Sequence, residues 1–425
     1  MAREYKDSGI EWIGQIPKEW EVVTTKRLFN IVAGATPKTD NNELWDGDIS
    51  WVTPADYKTE DKYVSKGRRN LSKKGMNSCA TYLLPMNSIV FSKRAPIGLV
   101  AITANSLCTN QGCLGCLHNK SLNTCYYYYV MSAFTEQYEL LGTGTTFKEI
   151  SATKFASFPL LSPPLPEQQK IADYLDKVCG EADEMIALQE KMIQELKAYK
   201  QSVITEAVTK GLNPNIPMKD SGIDWIGEIP EHWNQHQFRR LFEIKKNIAG
   251  KLGYDVLSVT QGGIRVKDLT KNEGQIAQDY SKYQLVDIDD FVMNHMDLLT
   301  GYVDCANQYG VTSPDYRVFR AIDKNLVALS YYLRIFQTCY KERIFYHLGQ
   351  GVSGMGRWRL PAEQLKLFVL PMPPLSEQQQ IASYLDTKCS DIDSLIAVKQ
   401  QKIEELKEYK KSVIYEYVTG KKEVV

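Results

Sequence analysis

The sequence predicts a mixed α/β protein. It has two globular domains separated by two long antiparallel coiled-coil helices, with a pseudo-two-fold axis created by internal duplication. Three observations predict this: four blocks that recur in the same order, a heptad seam in two of them, and α/β patterning in the divergent segments between. Residues 6–20 read KDSGIEWIGQIPKEW and residues 219–233 read KDSGIDWIGEIPEHW. Lys26-Arg27-Leu28-Phe29 matches Arg239-Arg240-Leu241-Phe242. Residues 163–176 (PPLPEQQKIADYLD) match 373–386 (PPLSEQQQIASYLD), and 195–209 (ELKAYKQSVITEAVT) match 405–419 (ELKEYKKSVIYEYVT). The period of about 210 residues lies far above the range of about 20–50 residues that marks solenoids, so two copies make a pseudo-symmetric pair.

The third and fourth blocks of each copy run into one long helix. Apolar residues alternate at spacings of four and three: Leu175, Cys179, Ala182, Ile186, then Ile193, Leu196 and Val203. The other copy gives Leu385, Cys389, Ile392, Ile396, then Ile403, Leu406 and Val413. That is a coiled-coil seam. Gln189, Lys200, Lys399 and Lys410 interrupt it at equivalent places. Pro-Pro pairs block helix upstream, and Ser376 followed by Gln379 reads as a capping box. A helix of about 43 residues is about 65 Å long. Two equivalent helices related by a two-fold run antiparallel and bury the seam against each other.

Between the repeats, residues 34–157 and 247–367 share only faint echoes, such as Leu141-Gly142-Thr143-Gly144 with Leu348-Gly349-Gln350-Gly351. Residues 88–102 and 290–305 read as strand–loop–strand units, and 126–138 and 330–346 as helices. The domain boundaries that follow are 1–160 and 214–370 for the globular domains, 161–213 for the first long helix and linker, and 371–425 for the second helix and tail.

Composition narrows the function classes. Of 425 residues, 43% are hydrophobic and 24% charged, an ordinary globular balance, with no apolar run for a membrane span. The N-terminus lacks the apolar core of a signal peptide, and nine cysteines read as reduced thiols of a cytoplasmic protein. Net charge is zero, yet its distribution is uneven. Residues 21–158 and 234–368 each carry about +4, whereas the helical segments 167–210 and 377–419 carry about −3 and −2. Basic blocks suit phosphate contact.

Fingerprints of catalysis are missing. Ser162-Pro163-Pro164-Leu165 lacks the aromatic residue an amino-methyltransferase places after its Pro-Pro pair, and Ser313-Pro314-Asp315-Tyr316 has Asp at the second Pro. There is no Gly-rich loop ending in Gly-Lys-Ser/Thr for an ATP-driven motor. Cys113-x-x-Cys116, with Cys108 and His118 nearby, has no second ligand pair and no counterpart in the other copy, so it reads as buried thiols without metal. What remains is binding. Lys66, Arg68, Arg69, Lys73 and Lys74 crowd one stretch, and Lys93-Arg94 occupies an expected loop tip. Arg357 and Arg359 flank Trp358 after GQGVSGMG; Lys148 and His295 complete the candidates for DNA contact. Arg and Lys pair with guanine edges and phosphates.

The repeated motifs KDSG-I-(E/D)-WIG-x-IP-x-x-W, PPL-x-EQQ-x-IA-x-YLD and ELK-x-YK-x-SVI resemble those of Type I restriction–modification specificity subunits. The resemblance spans essentially the whole chain. It implies two target recognition domains, each reading one half of an asymmetric, interrupted double-stranded DNA site. It also implies long helices that act as a ruler and as a docking surface for methyltransferase subunits, with restriction/translocase subunits completing the assembly. The chain would then be non-catalytic, and S-adenosylmethionine, ATP and Mg would belong to the partners. A 65 Å rod spans nearly two turns of duplex at about 34 Å per turn. Two other classes compete: a self-contained DNA-modifying enzyme, and a coiled-coil scaffold without DNA binding.

Overall fold

Each copy opens on a hairpin written by its first motif. Tyr5–Asp7 pairs antiparallel with Gln15–Pro17, and Met218–Asp220 with Glu228–Pro230. In both turns the Asp carboxylate accepts the glycine N–H (Asp7 from Gly9, Asp220 from Gly222, 2.9 Å), and the Ser hydroxyl accepts the next N–H. Gly9, Gly14, Gly222 and Gly227 all have φ near +70°, a region open to glycine at little steric cost. The computed structural model describes residues 3–144, 148–268, 279–351 and 358–424. These form two compact units, one of residues 1–190 with 401–425 and the other of residues 191–400.

The hairpin clasps the start of the long helix. The buried Trp20 indole donates to Glu167 at 3.0 Å, and Trp233 donates to Glu377 at 2.9 Å. The adjacent buried glutamine closes the joint: Gln168 donates to the Pro163 carbonyl and accepts from Asn123 N–H. Gln378 does the same with Pro373 and Ala328. Thus Trp, Glu and Gln of the repeated motifs form one interlocked joint per unit.

The long helices are Leu165–Lys210 and Leu375–Val418, 46 and 44 residues. The expected Ser376 cap does not form. The helix starts earlier, at Leu375, because the Pro374 carbonyl already accepts from Glu377 and Gln378 N–H, which makes Pro374 the cap and Ser376 an interior residue. In both units the helices are antiparallel. In the first, Tyr174 stacks on Tyr417 (4.5 Å) and Asp183 pairs with Lys410; in the second, Lys200 pairs with Asp393 at 2.6 Å and Met192 meets Lys399. Along the seam Leu175, Ile193, Val203, Leu385, Ile392, Ile396, Ile403, Leu406 and Val413 are buried, and Ile186 and Leu196 are half-buried.

Each unit's core takes a helix end from the other copy. Val413 and Val418 join Trp20, Tyr126 and Phe155 in the first, where the Tyr126 hydroxyl donates to Leu161 O and lies 3.5 Å from Val418 O. Ile204 and Val208 join Trp233, Tyr331 and Phe336 in the second, and the Tyr331 hydroxyl donates to Val208 O at 2.8 Å.

Each unit has its own central sheet, and four strands follow the same order in both. In the first unit its order is Ile31–Ala33, Cys113–Cys116, Ile89–Ser92, Val100–Thr103, with Tyr63–Val64 added in parallel at the edge. In the second it is Phe242–Lys245, Arg317–Ala321, Phe291–Met293, Val303–Cys305. The strand–loop–strand readings fall on two neighbouring antiparallel strands in each, Ile89–Ser92 with Val100–Thr103 and Phe291–Met293 with Val303–Cys305, the last at the sheet edge. The helical readings hold with breaks: Thr124–Ala133 is followed by Thr135–Leu141, and Leu329–Lys341 by Ile344–His347. The first break lies at Phe134, whose ring is buried against Trp12 at 4.6 Å. The second has Arg343 at φ +57°.

Asp393, the partner of Lys200, is the repeat counterpart of Asp183, the partner of Lys410. The first half of the chain therefore carries both members of the ion pair. Residues 1–213 alone are expected to form a two-fold dimer in which Lys200 of one copy faces Asp183 of the other. Sedimentation of the fragment tests this; a folded monomer at micromolar concentration contradicts it.

Candidate nucleic-acid interface

In the first unit, strand Arg69–Leu71 lies antiparallel to Trp45–Val52. The loop before it folds tightly onto that strand: a Cβ at Gly67 would sit 2.1 Å from Trp51 O. Buried Asp56 accepts Arg68 N–H at 3.1 Å, and the Arg69 guanidinium lies 3.9 Å above the Trp45 ring, itself edge-on to Trp51. A cation over an indole face is held by the ring quadrupole. With Arg69 so anchored, Lys66 is exposed, and the Arg68 side chain is 80% exposed while its Nε lies 3.6 Å from the Asp56 carboxylate. They border an open groove of about 580 Å³ with Ser50, Asn70, Asn105 and Asp46.

Basic groups beside amides and a hydroxyl are suited to duplex DNA, the first for phosphates and guanine, the amides for adenine. Ser50, Asn70 and Asn105 were missed in the sequence because they come from three separate segments and belong to no motif. Lys73 and Lys74 sit on the short helix Lys73–Asn77 just beyond, with Lys74 paired to Glu43 at 3.2 Å.

Elsewhere the structure corrects the expected free cations. Lys93 and Arg94 share one carboxylate, Glu149, at 2.7 and 2.8 Å, and the Lys93 side chain is only 16% exposed. Hydrogen bonds from Lys93 and then Arg94 hold Glu149 below its usual range. Lys148, next in sequence, is exposed. In the second unit His295 is half-buried; burial, then Arg317 and Arg359, push its imidazole down to about 4. It is neutral at physiological pH and cannot serve as a cation. Arg359 is exposed; Arg357 lies outside the described residues.

The Cys113–Cys116 strand explains its thiols. Cys113 packs with Val52, Tyr57 and Leu84, whereas Cys116 packs with Phe91 and Tyr126. Side chains three apart on a strand point to opposite faces, so the two sulfurs cannot converge on one ion. Burial pushes the Cys113 thiol up to about 12.

A duplicated chain whose two α/β units are each built around a basic block, share one strand order and are framed by repeated helices has the build of a two-site recognition protein. Residues 17–198 and 233–408 match the Type I restriction modification DNA specificity domain, and the chain belongs to that family. It is similar to the Type I restriction enzyme MjaIX specificity subunit of Methanocaldococcus jannaschii, 35% identical over 253 residues that cover 58% of this chain and 56% of that protein. The putative MjaX specificity subunit of the same organism is 24% identical and matches 96% of this chain and 95% of its own length. The fold is shared with a solved structure described as the structural basis of complex assembly and conformational transition of the type I R-M system (TM-score 0.70, 14% identity, 95% of this chain and 98% of that one). It is also shared with the HsdS subunit from Thermoanaerobacter tengcongensis (TM-score 0.53, 14% identity, 95% and 98%). Among the described residues no helix is long and apolar enough to cross a membrane.

The depressed His295 has a stability consequence. Its folded pKa lies below the unfolded value near 6.5, so protonation favours unfolding. The contribution is intact above about 6.5 and is lost as pH falls toward about 4. Denaturant unfolding at pH 7 and pH 5 should show a smaller acid loss in His295→Gln than in the parent. Equal losses would refute the assignment.

Proposed function

We propose that each unit reads one half of an asymmetric, interrupted double-stranded DNA target, and that the chain itself performs no chemistry. The observation that carries this is the pairing of a common sheet and a common joint with different surface chemistry in the two units. One scaffold presenting two readouts is what a split site requires. Methyltransferase subunits bring S-adenosylmethionine; restriction/translocase subunits bring ATP and Mg; the assembly works in the cytoplasm.

The long helices supply the docking surface. Outside the seam, each unit exposes the same apolar set in repeat-equivalent positions: Met185, Leu188 and Tyr409 in one, Leu395, Val398 and Tyr199 in the other. Exposed apolar groups that recur on a framing element mark a partner site. Two equivalent sets fit two copies of one partner. Leu188→Lys with Val398→Lys should abolish co-purification of the methyltransferase and methylation of the target, while the chain still binds DNA. Retained co-purification would refute this surface.

The groove of the first unit is the phosphate and base contact of one half-site. Lys66→Ala with Arg68→Ala should weaken duplex binding and lower the salt slope by about one per lost phosphate contact. Affinity and slope both at parental values would exclude the groove. Methylome sequencing of cells that express this chain with its methyltransferase partner gives the decisive readout: one interrupted, asymmetric motif. A palindrome, or methylation by the purified chain alone, would overturn the reading.

A further inference from the structure

The two units carry an equivalent turn with opposite electrostatics. In the first, Thr143 and Glu149 exchange backbone hydrogen bonds at 3.0 Å, and Ile150 N–H donates to Lys93 O, just after the central strand Ile89–Ser92. In the second, Gln350 and Arg359 exchange hydrogen bonds at 2.8 and 3.1 Å, and Leu360 N–H donates to His295 O, just after Phe291–Met293. Glu149 and Arg359 therefore occupy the same place, as do Lys93 and His295. A carboxylate that neutralises two cations in one unit is an arginine in the other.

The second unit adds a buried cation. Arg317, at 8% exposure, makes a single hydrogen bond, from Nη1 to Leu360 O at 3.1 Å, and no carboxylate pairs with it among the described residues. His295 Nδ1 is buried without a partner. The nearby Asp297 is occupied by Leu299 and Thr300 N–H of its own turn. Burial lowers Arg317 to about 10, which leaves it charged at neutral pH. The same unit satisfies its other buried cation fully: Lys245 meets both Asp287 and Asp290, at 2.6 and 2.5 Å. A desolvated guanidinium without a counter-charge is costly, and an anion bound there gains charge-assisted hydrogen bonds.

We propose that Arg317, Arg359 and the His295 imidazole form an anion site that takes a backbone phosphate of DNA, a contact the first unit lacks because Glu149 already neutralises Lys93 and Arg94. The proposal rests on the DNA-recognition reading, and two measurements separate them. The first needs no DNA. With five histidines in the chain, labelled imidazole resonances of the full-length protein can be followed during titration with inorganic phosphate. The His295 signal should shift and saturate in the parent and stay still in Arg359→Glu. No shift in the parent overturns the site, whether or not the protein binds DNA.

The second measurement is duplex affinity against salt. Arg359→Glu should lower affinity for target and random duplex alike and reduce the slope by about one. Glu149→Arg, which gives the first unit the charge pattern of the second, should raise the slope. Arg359→Gln, the milder change at the same exposed position, should fall between parent and Arg359→Glu. Parental slopes in all three overturn the proposal. A loss in Arg359→Glu confined to the target sequence also overturns it, in favour of Arg359 reading a base edge. Phosphate binding without any duplex binding by the parent would keep the anion site and remove the DNA reading.

Discussion

Each unit's hydrophobic core is finished by a helix end that belongs to the other copy of the repeat. Val418 and Val208 are fully buried, and a tyrosine hydroxyl lies against each of their carbonyls. A core that lacks those residues exposes apolar surface at a cost of about 25 cal/mol per Å². This exchange makes the seam, the antiparallel direction and the duplication mutually dependent. It also explains why the resemblance between copies concentrates where it does. Residues that form the Trp–Glu–Gln joint or reach into the neighbouring core answer to two elements at once. Loops at the far side of the sheet answer to neither.

The polar interruptions of the seam have the same logic. Lys200 and Lys410 look like defects in a heptad, yet each meets an aspartate of the facing helix. Exposed ion pairs of this kind add about 0–1 kcal/mol. Their larger effect is to give both seam lysines a carboxylate on the facing helix, so neither charge is left unpaired on an otherwise apolar stripe.

Charge is handled differently in the two units. In the first, Glu149 holds Lys93 and Arg94, and Asp56 anchors Arg68 at one side, while Lys66 and the largely exposed Arg68 border an open groove. In the second, Lys245 is fully paired while Arg317 is not. One strand order therefore supports two charge patterns, because the sheet is stabilised by buried apolar residues such as Phe91 and Phe291 that do not depend on the loops' charges.

The sequence by itself determined the duplication, the long helices, the seam and the α/β character of the divergent blocks. These follow from periodicity and repetition, which are local or self-referential and survive without coordinates. It also located the stretch 66–69 as basic. The tertiary structure alone decided which of those charges are available. Glu149 lies more than fifty residues from Lys93 and Arg94, Asp56 twelve from Arg68, and Asn105 reaches the groove from another segment. Ser376 likewise read as a helix cap until the Pro374 carbonyl was seen to start the helix earlier. Whether a basic side chain is free, paired or buried depends on neighbours brought together by chain reversal, and no linear spacing encodes that.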